Sequence, residues 1–146
     1  MGKIAYFICT TSLTLFLYSC HDSIELDTIR ETSNILNCRL IFGRDINSIK
    51  LENAFWVQTG QIDTTDEHGP INSSIIKVNK KEFILTLINT STINNQITEE
   101  YSGQGYRLIL TYAKLEDDKS DYKGVLHIEN GNQKADYNVE GTSCNL

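Results

Sequence analysis

The segment Gly124–Gly141, GVLHIENGNQKADYNVEG, constrains the fold more than any other part of the chain. Asn130-Gly131 at its centre is a strong hairpin signal, because a type I′ turn requires positive φ at both central residues. With these two residues as the loop, Leu126 faces Ala135 and the segment becomes amphipathic. One face then carries Leu126, Ile128, Ala135, Tyr137 and Val139, and the other carries His127, Glu129, Lys134, Asp136 and Asn138. This pattern predicts a half-buried antiparallel hairpin.

Period-two alternation recurs along the rest of the chain. It predicts strands over residues 38–42 and 106–115, and a hairpin of 75–78 with 83–88 that turns around 79–81. It also predicts a strand over residues 49–58, in which Ile49, Leu51, Phe55 and Val57 oppose Lys50, Glu52, Ala54, Trp56 and Gln58. Residues 59–73 and 89–105 are polar and are expected to be loops, the second with room for a short helix.

The predicted elements favour an all-β fold. We count about seven or eight strands with turn signals between them and find no convincing amphipathic helix. The expected architecture is an antiparallel β-sandwich or a small barrel, and the pattern does not decide between the two.

The first 20 residues differ in character from the rest. Lys3 is their only charged residue, and the run from Ile4 to Tyr18 is almost entirely apolar, as in a signal peptide. The run is shorter than the roughly 20 apolar residues that a transmembrane helix needs. Leu17-Tyr18-Ser19-Cys20 at its end resembles the lipobox of bacterial lipoproteins.

The resemblance implies removal of residues 1–19 and attachment of acyl chains to Cys20. Two or more acyl chains hold a protein stably on a membrane. The expected address is therefore the bacterial cell envelope, lipid-anchored, with the outer membrane as the expected membrane. An ordinary signal peptide that happens to end in a cysteine is the alternative.

Removal of the signal peptide leaves 127 residues, which is enough for a single domain. We expect residues 20–37 to form a polar, lipid-anchored tether and residues 38–146 to form one β-rich domain. Without Lys3, 12 Lys and Arg residues oppose 19 Asp and Glu residues. This acidic balance argues against nucleic acid as a partner, since phosphate binding requires clustered cations.

Two cysteines remain after Cys9 leaves with the signal and Cys20 takes the lipid. Outside the cytoplasm such a pair usually forms a disulfide, so Cys38 and Cys144 are expected to be bonded. Two buried free thiols are the alternative. A zinc site is disfavoured, because no further Cys or His stands at ligand spacing.

Trp56 is the candidate binding residue. It is the only Trp, and alternation places it on a polar face with Lys50, Glu52 and Gln58. An aromatic ring among polar neighbours can stack on a sugar or anchor a protein contact. The alternative is that this face packs beneath another layer and Trp56 belongs to the core.

Other chemistry-bearing residues form no recognised site. His127 and Asp136 lie close enough across the predicted hairpin for acid–base work, but a surface contact explains them equally. Two acidic groups could hold calcium but lack its loop spacing. They are Asp63, Asp66, Glu67 and His68, and Glu116, Asp117, Asp118 and Asp121. No nucleophile motif, cofactor motif or metal spacing is present.

These observations predict a non-catalytic binding lipoprotein rather than an enzyme. Small anchored β-domains often neutralise a toxin or a lytic enzyme as inhibitors or immunity proteins, and an acidic surface suits a basic protein partner. The alternative is a structural or glycan-binding component of an outer-membrane or surface assembly. Membrane contact is expected through Cys20 alone, and no cofactor is expected.

Overall fold

A computed structural model describes residues 23–30, 35–64, 69–116 and 121–144. Within these ranges, eight antiparallel strands close into a barrel in which each strand pairs with its neighbours in sequence and the first pairs with the last. The sandwich is therefore excluded and the barrel is correct. The elements are β1 (Asn37–Gly43), α1 (Ile46–Glu52), β2 (Val57–Ile62), β3 (Ile71–Val78), β4 (Lys81–Ile93), β5 (Gln96–Gly103), β6 (Tyr106–Lys114), β7 (Asp121–Asn130) and β8 (Gln133–Ser143).

The predicted β7–β8 hairpin is present, but its loop lies one residue later than predicted. Asn130 pairs with Gln133, so the turn residues are Gly131 and Asn132, with φ of +58° at Gly131. Glycine at the first central position is the preference of a type II′ turn. The later loop shifts each cross-strand pair by two residues, which preserves the faces. The predicted division into an apolar and a polar face is therefore confirmed.

The loop predicted over residues 89–105 is wrong. β4 and β5 run through it and turn at Asn94 and Asn95, both of which have positive φ. Asparagine adopts the left-handed region more readily than most residues, so the pair forms a two-residue turn of type I′ character without glycine. The polar residues around it therefore form a strand hairpin instead of a loop.

The strand predicted over residues 49–58 is wrong in its first half, where α1 lies instead. Asp45 caps the helix, since its Oδ1 accepts a hydrogen bond from the Ser48 amide at 2.8 Å. Asn53 ends it in the left-handed conformation, with φ of +49°. These two caps stabilise a helix over a segment whose apolar residues also alternate. In the helix only Ile49 is buried, and the Leu51 side chain is 86% exposed.

The barrel interior is a packed aromatic and aliphatic core. Phe42 and Tyr112 meet there with ring centroids 5.1 Å apart. The Phe42 ring lies against Gly141 of β8, where a Cβ atom would collide with the ring. A Cβ atom at Gly124 of β7 would collide with the Thr111 carbonyl oxygen and the Tyr112 Cβ atom of β6. The buried members of this core are Ile24, Leu26, Leu40, Phe42, Val57, Ile76, Val78, Leu85, Tyr101, Leu108, Leu110, Tyr112, Leu126, Ile128 and Val139.

The segment Ser23–Arg30 packs at one end of the barrel, so this part of the tether expected over residues 20–37 belongs to the folded domain. Ile24 and Leu26 insert into the interior core, and Ile29 joins a second apolar cluster outside β1 and β3. Backbone bridges join Leu26 to Val78 and Ile29 to Phe55. The segment packs because its three apolar side chains, Ile24, Leu26 and Ile29, lose contact with water when they are buried against the barrel. We call Ser23–Arg30 the strap.

The two ends of the barrel differ. The α1 end carries the strap, α1 and the tight turns after β3, β5 and β7. The disulfide end carries Cys38, Cys144 and the tip of the β4–β5 hairpin. This follows from the topology, because in an up-and-down barrel alternate connections lie at the same end.

Candidate functional site

Trp56 lines a cleft of about 200 Å³ at the α1 end. One side of its ring packs on Tyr137, with centroids 5.2 Å apart, and the Arg44 guanidinium carbon lies 5.8 Å from the ring centroid. The ring is half-buried and contacts the interior core. The other lining residues are Thr28, Arg44, Ser48, Glu52 and Ala54. We call this site the Trp56 cleft.

The sequence left open whether Trp56 belongs to a binding face or to the core, and its position has features of both. Its ring belongs to the core on one side and contributes to a polar depression on the other. Glu52 and Ser48 reach the cleft because they stand four residues apart on α1, and therefore on one helix face. The depression thus offers an aromatic surface, a cation, a carboxylate and hydroxyl groups within a small space.

Two residues predicted to share this site lie elsewhere. The Lys50 ammonium group binds Asp121 at 2.9 Å, on the other side of α1. Gln58 is fully buried on the outside of β2, between Ile41 of β1 and Ile75 of β3. The alternation pattern misplaced both residues because α1 interrupts the predicted strand. Residues before and after Asn53 therefore do not share a face.

A polar cluster inside the barrel near the disulfide end had no sequence signal. Arg39 lies at a bulge of β1, and its Nη2 contacts Glu99 Oε1 at 2.7 Å across the barrel. The Tyr101 hydroxyl donates to Glu99 at 2.8 Å. Burial raises the pKa of Tyr101 above its ordinary value and that of Tyr112 to about 12, so both hydroxyls stay protonated. Sequence alternation does not reveal an inward Arg, because the bulge alone turns it inward.

His127 and Asp136 face each other directly across β7 and β8. Their Nδ1 and Oδ1 atoms lie 2.6 Å apart on the outer surface, where the Asp136 side chain is 71% exposed. Glu129 beside them binds Arg107 and Lys134, and these hydrogen bonds lower the pKa of Glu129 to about 2. The His127–Asp136 pair is therefore a surface hydrogen-bonded contact beside the ion pairs of Glu129.

The structure confirms the Cys38–Cys144 disulfide, whose Cα atoms lie 5.7 Å apart. Cys20, the predicted lipid site, lies outside the described residues, and so do Asp66, Glu67, His68, Asp117 and Asp118 of the acidic groups. Among the residues that the structure does describe, no three His, Cys, Asp or Glu side chains are placed to hold a metal ion. The same ranges contain no helix of the length and apolarity needed to cross a membrane.

Comparisons with protein-family models, with curated proteins and with solved structures found no match.

Proposed function

We propose that this protein is a non-catalytic binding lipoprotein of the bacterial envelope that holds a protein partner through the Trp56 cleft. An inhibitor or immunity protein acting on a toxin or lytic enzyme is the specific form we favour. The observation that carries the proposal is the half-buried Trp56 ring beside Arg44, with an 86% exposed Leu51 next to Glu52 on the same short helix. Tryptophan and arginine are the side chains that most often dominate protein interfaces.

The strap supports an anchored orientation. Cys20 stands only four residues before Ile24, which packs in the core at the α1 end. Four extended residues span at most about 14 Å. A lipid on Cys20 therefore holds the α1 end, and with it the Trp56 cleft, close to the membrane surface.

The anchor itself has a direct test. In bacteria fed a radiolabelled or alkyne-tagged fatty acid, we expect the natural chain to be labelled and the Cys20→Ser variant to lose the label completely, because the thiol is the acceptor. The Cys9→Ser variant, which also loses one cysteine but keeps Cys20 and the disulfide, serves as the matched control. Equal labelling of the Cys20→Ser variant would exclude lipidation at this residue.

Partner binding has a test that leaves the core intact. The tagged full chain is recovered from detergent-solubilised membranes mixed with secreted proteins, and bound proteins are identified by mass spectrometry. We expect one protein in a stoichiometric complex that weakens as salt increases. Leu51→Asp and Arg44→Ala should each reduce its recovery by roughly tenfold, the effect of a residue that contributes strongly to an interface.

Val125→Asp is the control, because Val125 is a 45% exposed apolar residue on the outer surface of β7, outside the cleft. Its recovery of the partner should equal that of the natural chain. If all three variants recover the same amount, the cleft is not the contact.

Glycan binding is the second candidate, favoured by the carboxylate and hydroxyl groups of Glu52, Ser48 and Thr28 around the Trp56 ring. Sugars stack on aromatic faces while such groups accept and donate hydrogen bonds. If the cleft binds a glycan, the natural chain should recover polysaccharide. The Glu52→Gln variant should recover less of it, and the Leu51→Asp variant should recover the same amount. The two variants therefore distinguish the two functions.

A further inference from the structure

The β4–β5 hairpin has an open edge. β4 pairs with β3 only as far as Thr86, whereas it pairs with β5 up to Ile93. The part of β4 from Leu87 to Ile93 therefore has a neighbouring strand on one side only, within the ladders of the described residues. Every residue from Ile88 to Gln96 is exposed, with Ile88 at 57% and Ile93 at 69%.

The outward backbone groups of this edge can be assigned from the turn. Ile93 and Gln96 flank the two-residue turn and exchange hydrogen bonds, and in an antiparallel ladder bonded and non-bonded pairs alternate. Ser91 therefore bonds to β5 through its pair with Thr98. The amide and carbonyl groups of Thr90 and Thr92 point away from β5, toward the open edge.

The outer part of the hairpin is also uncharged. Residues 83–98 contain no charged side chain, the longest such run after residue 20. Natural sheet edges usually carry a charge, a proline or a bulge that hinders strand addition. This edge has no charge and no proline, and its bulge at Ile88 lies before the segment Thr90–Thr92. Two copies of a chain with 19 acidic and 12 basic residues beyond Lys3 repel each other over most of their surface, but not here.

We propose that two copies of this protein associate by antiparallel pairing of their β4 edges, centred on Ser91. This register pairs Thr90 of one copy with Thr92 of the other, so that the four outward backbone groups of each copy form four hydrogen bonds across the contact. It also sets threonines directly opposite each other, which is a favourable cross-strand pair. A basic partner would gain no attraction at this neutral edge, whereas a second acidic copy avoids repulsion. The contact is at the opposite end of the barrel from the Trp56 cleft and is independent of it.

Disulfide trapping in cells that express the full chain tests the pairing. In this register Ser91 lies opposite Ser91 of the second copy, as a pair without backbone hydrogen bonds between them. Their Cα atoms would be about 4.5 Å apart, which is within the Cα–Cα distances that a disulfide spans. We expect Ser91→Cys to give several-fold more covalent dimer on mild oxidation than Ser102→Cys. Ser102 is the matched control, since it is also exposed but lies in β5 with a paired strand on each side.

A second substitution separates edge pairing from random collision. Thr90→Pro removes an outward amide without breaking the bonds to β5, so in the Ser91→Cys background it should reduce the dimer to the level of Ser102→Cys. Equal cross-linking of Ser91→Cys and Ser102→Cys would overturn the proposal. So would a dimer yield that Thr90→Pro leaves unchanged, because that result would assign the contact to side chains alone.

Discussion

Replacing Cys38 and Cys144 together with serine is expected to lower the free energy of unfolding by about 3–4 kcal/mol. The bond joins residues 106 apart in sequence, and a loop of that length carries a closure entropy worth up to about 4.7 kcal/mol, of which part is usually realised. The bond also lies beside the shortest ladder of the barrel, because β1 and β8 are joined by only four residue pairs. The disulfide thus holds the first and last strands together at the closing seam.

Urea denaturation of the two forms measures this loss. The single variants Cys38→Ser and Cys144→Ser should each behave like the double variant, since either one removes the bond. Hydrogen exchange should show the earliest loss of protection along β1 and β8. Identical urea midpoints for the natural chain with and without reductant would contradict the prediction.

Replacing Arg39 with leucine is expected to cost about 2–3 kcal/mol of stability. The Glu99 side chain is only 4% exposed, so the substitution would leave a buried carboxyl group without its cation. Removing one partner of a buried ion pair typically costs about 3–5 kcal/mol of stability. The Arg39 side chain is 48% exposed, so the cost for this pair should lie at or below the lower limit of that range.

A double-mutant cycle isolates the ion pair from the packing of the side chains. The variant Arg39→Leu/Glu99→Leu removes both charges, so it should recover most of the stability that Arg39→Leu alone loses. Thermal or urea unfolding of the four proteins supplies the coupling energy. A double variant no more stable than Arg39→Leu would show that Glu99 is not the cause.

The candidate site could be predicted only in part. Composition singled out Trp56, and Glu52 does line its cleft. Lys50 and Gln58 were misplaced because two short-range signals conflict over this segment. Ile49, Leu51, Phe55 and Val57 alternate as in a strand, whereas Asp45 and Asn53 are helix caps, and the caps prevail. Arg44, which completes the cleft, precedes the helix and carries no periodic signal.

The sequence by itself determined the local features of the barrel: alternating strands, their turns near asparagine and glycine, and the division of the β7–β8 hairpin into two faces. These depend on backbone conformation and on neighbours within a few residues. Only the tertiary structure decided between barrel and sandwich, because closure requires β1 to meet β8. It also decided that the strap packs, since Ile24 and Leu26 become core residues only when a barrel end lies beneath them. Likewise, Arg39 meets Glu99 only across the closed barrel, 60 residues away in the chain.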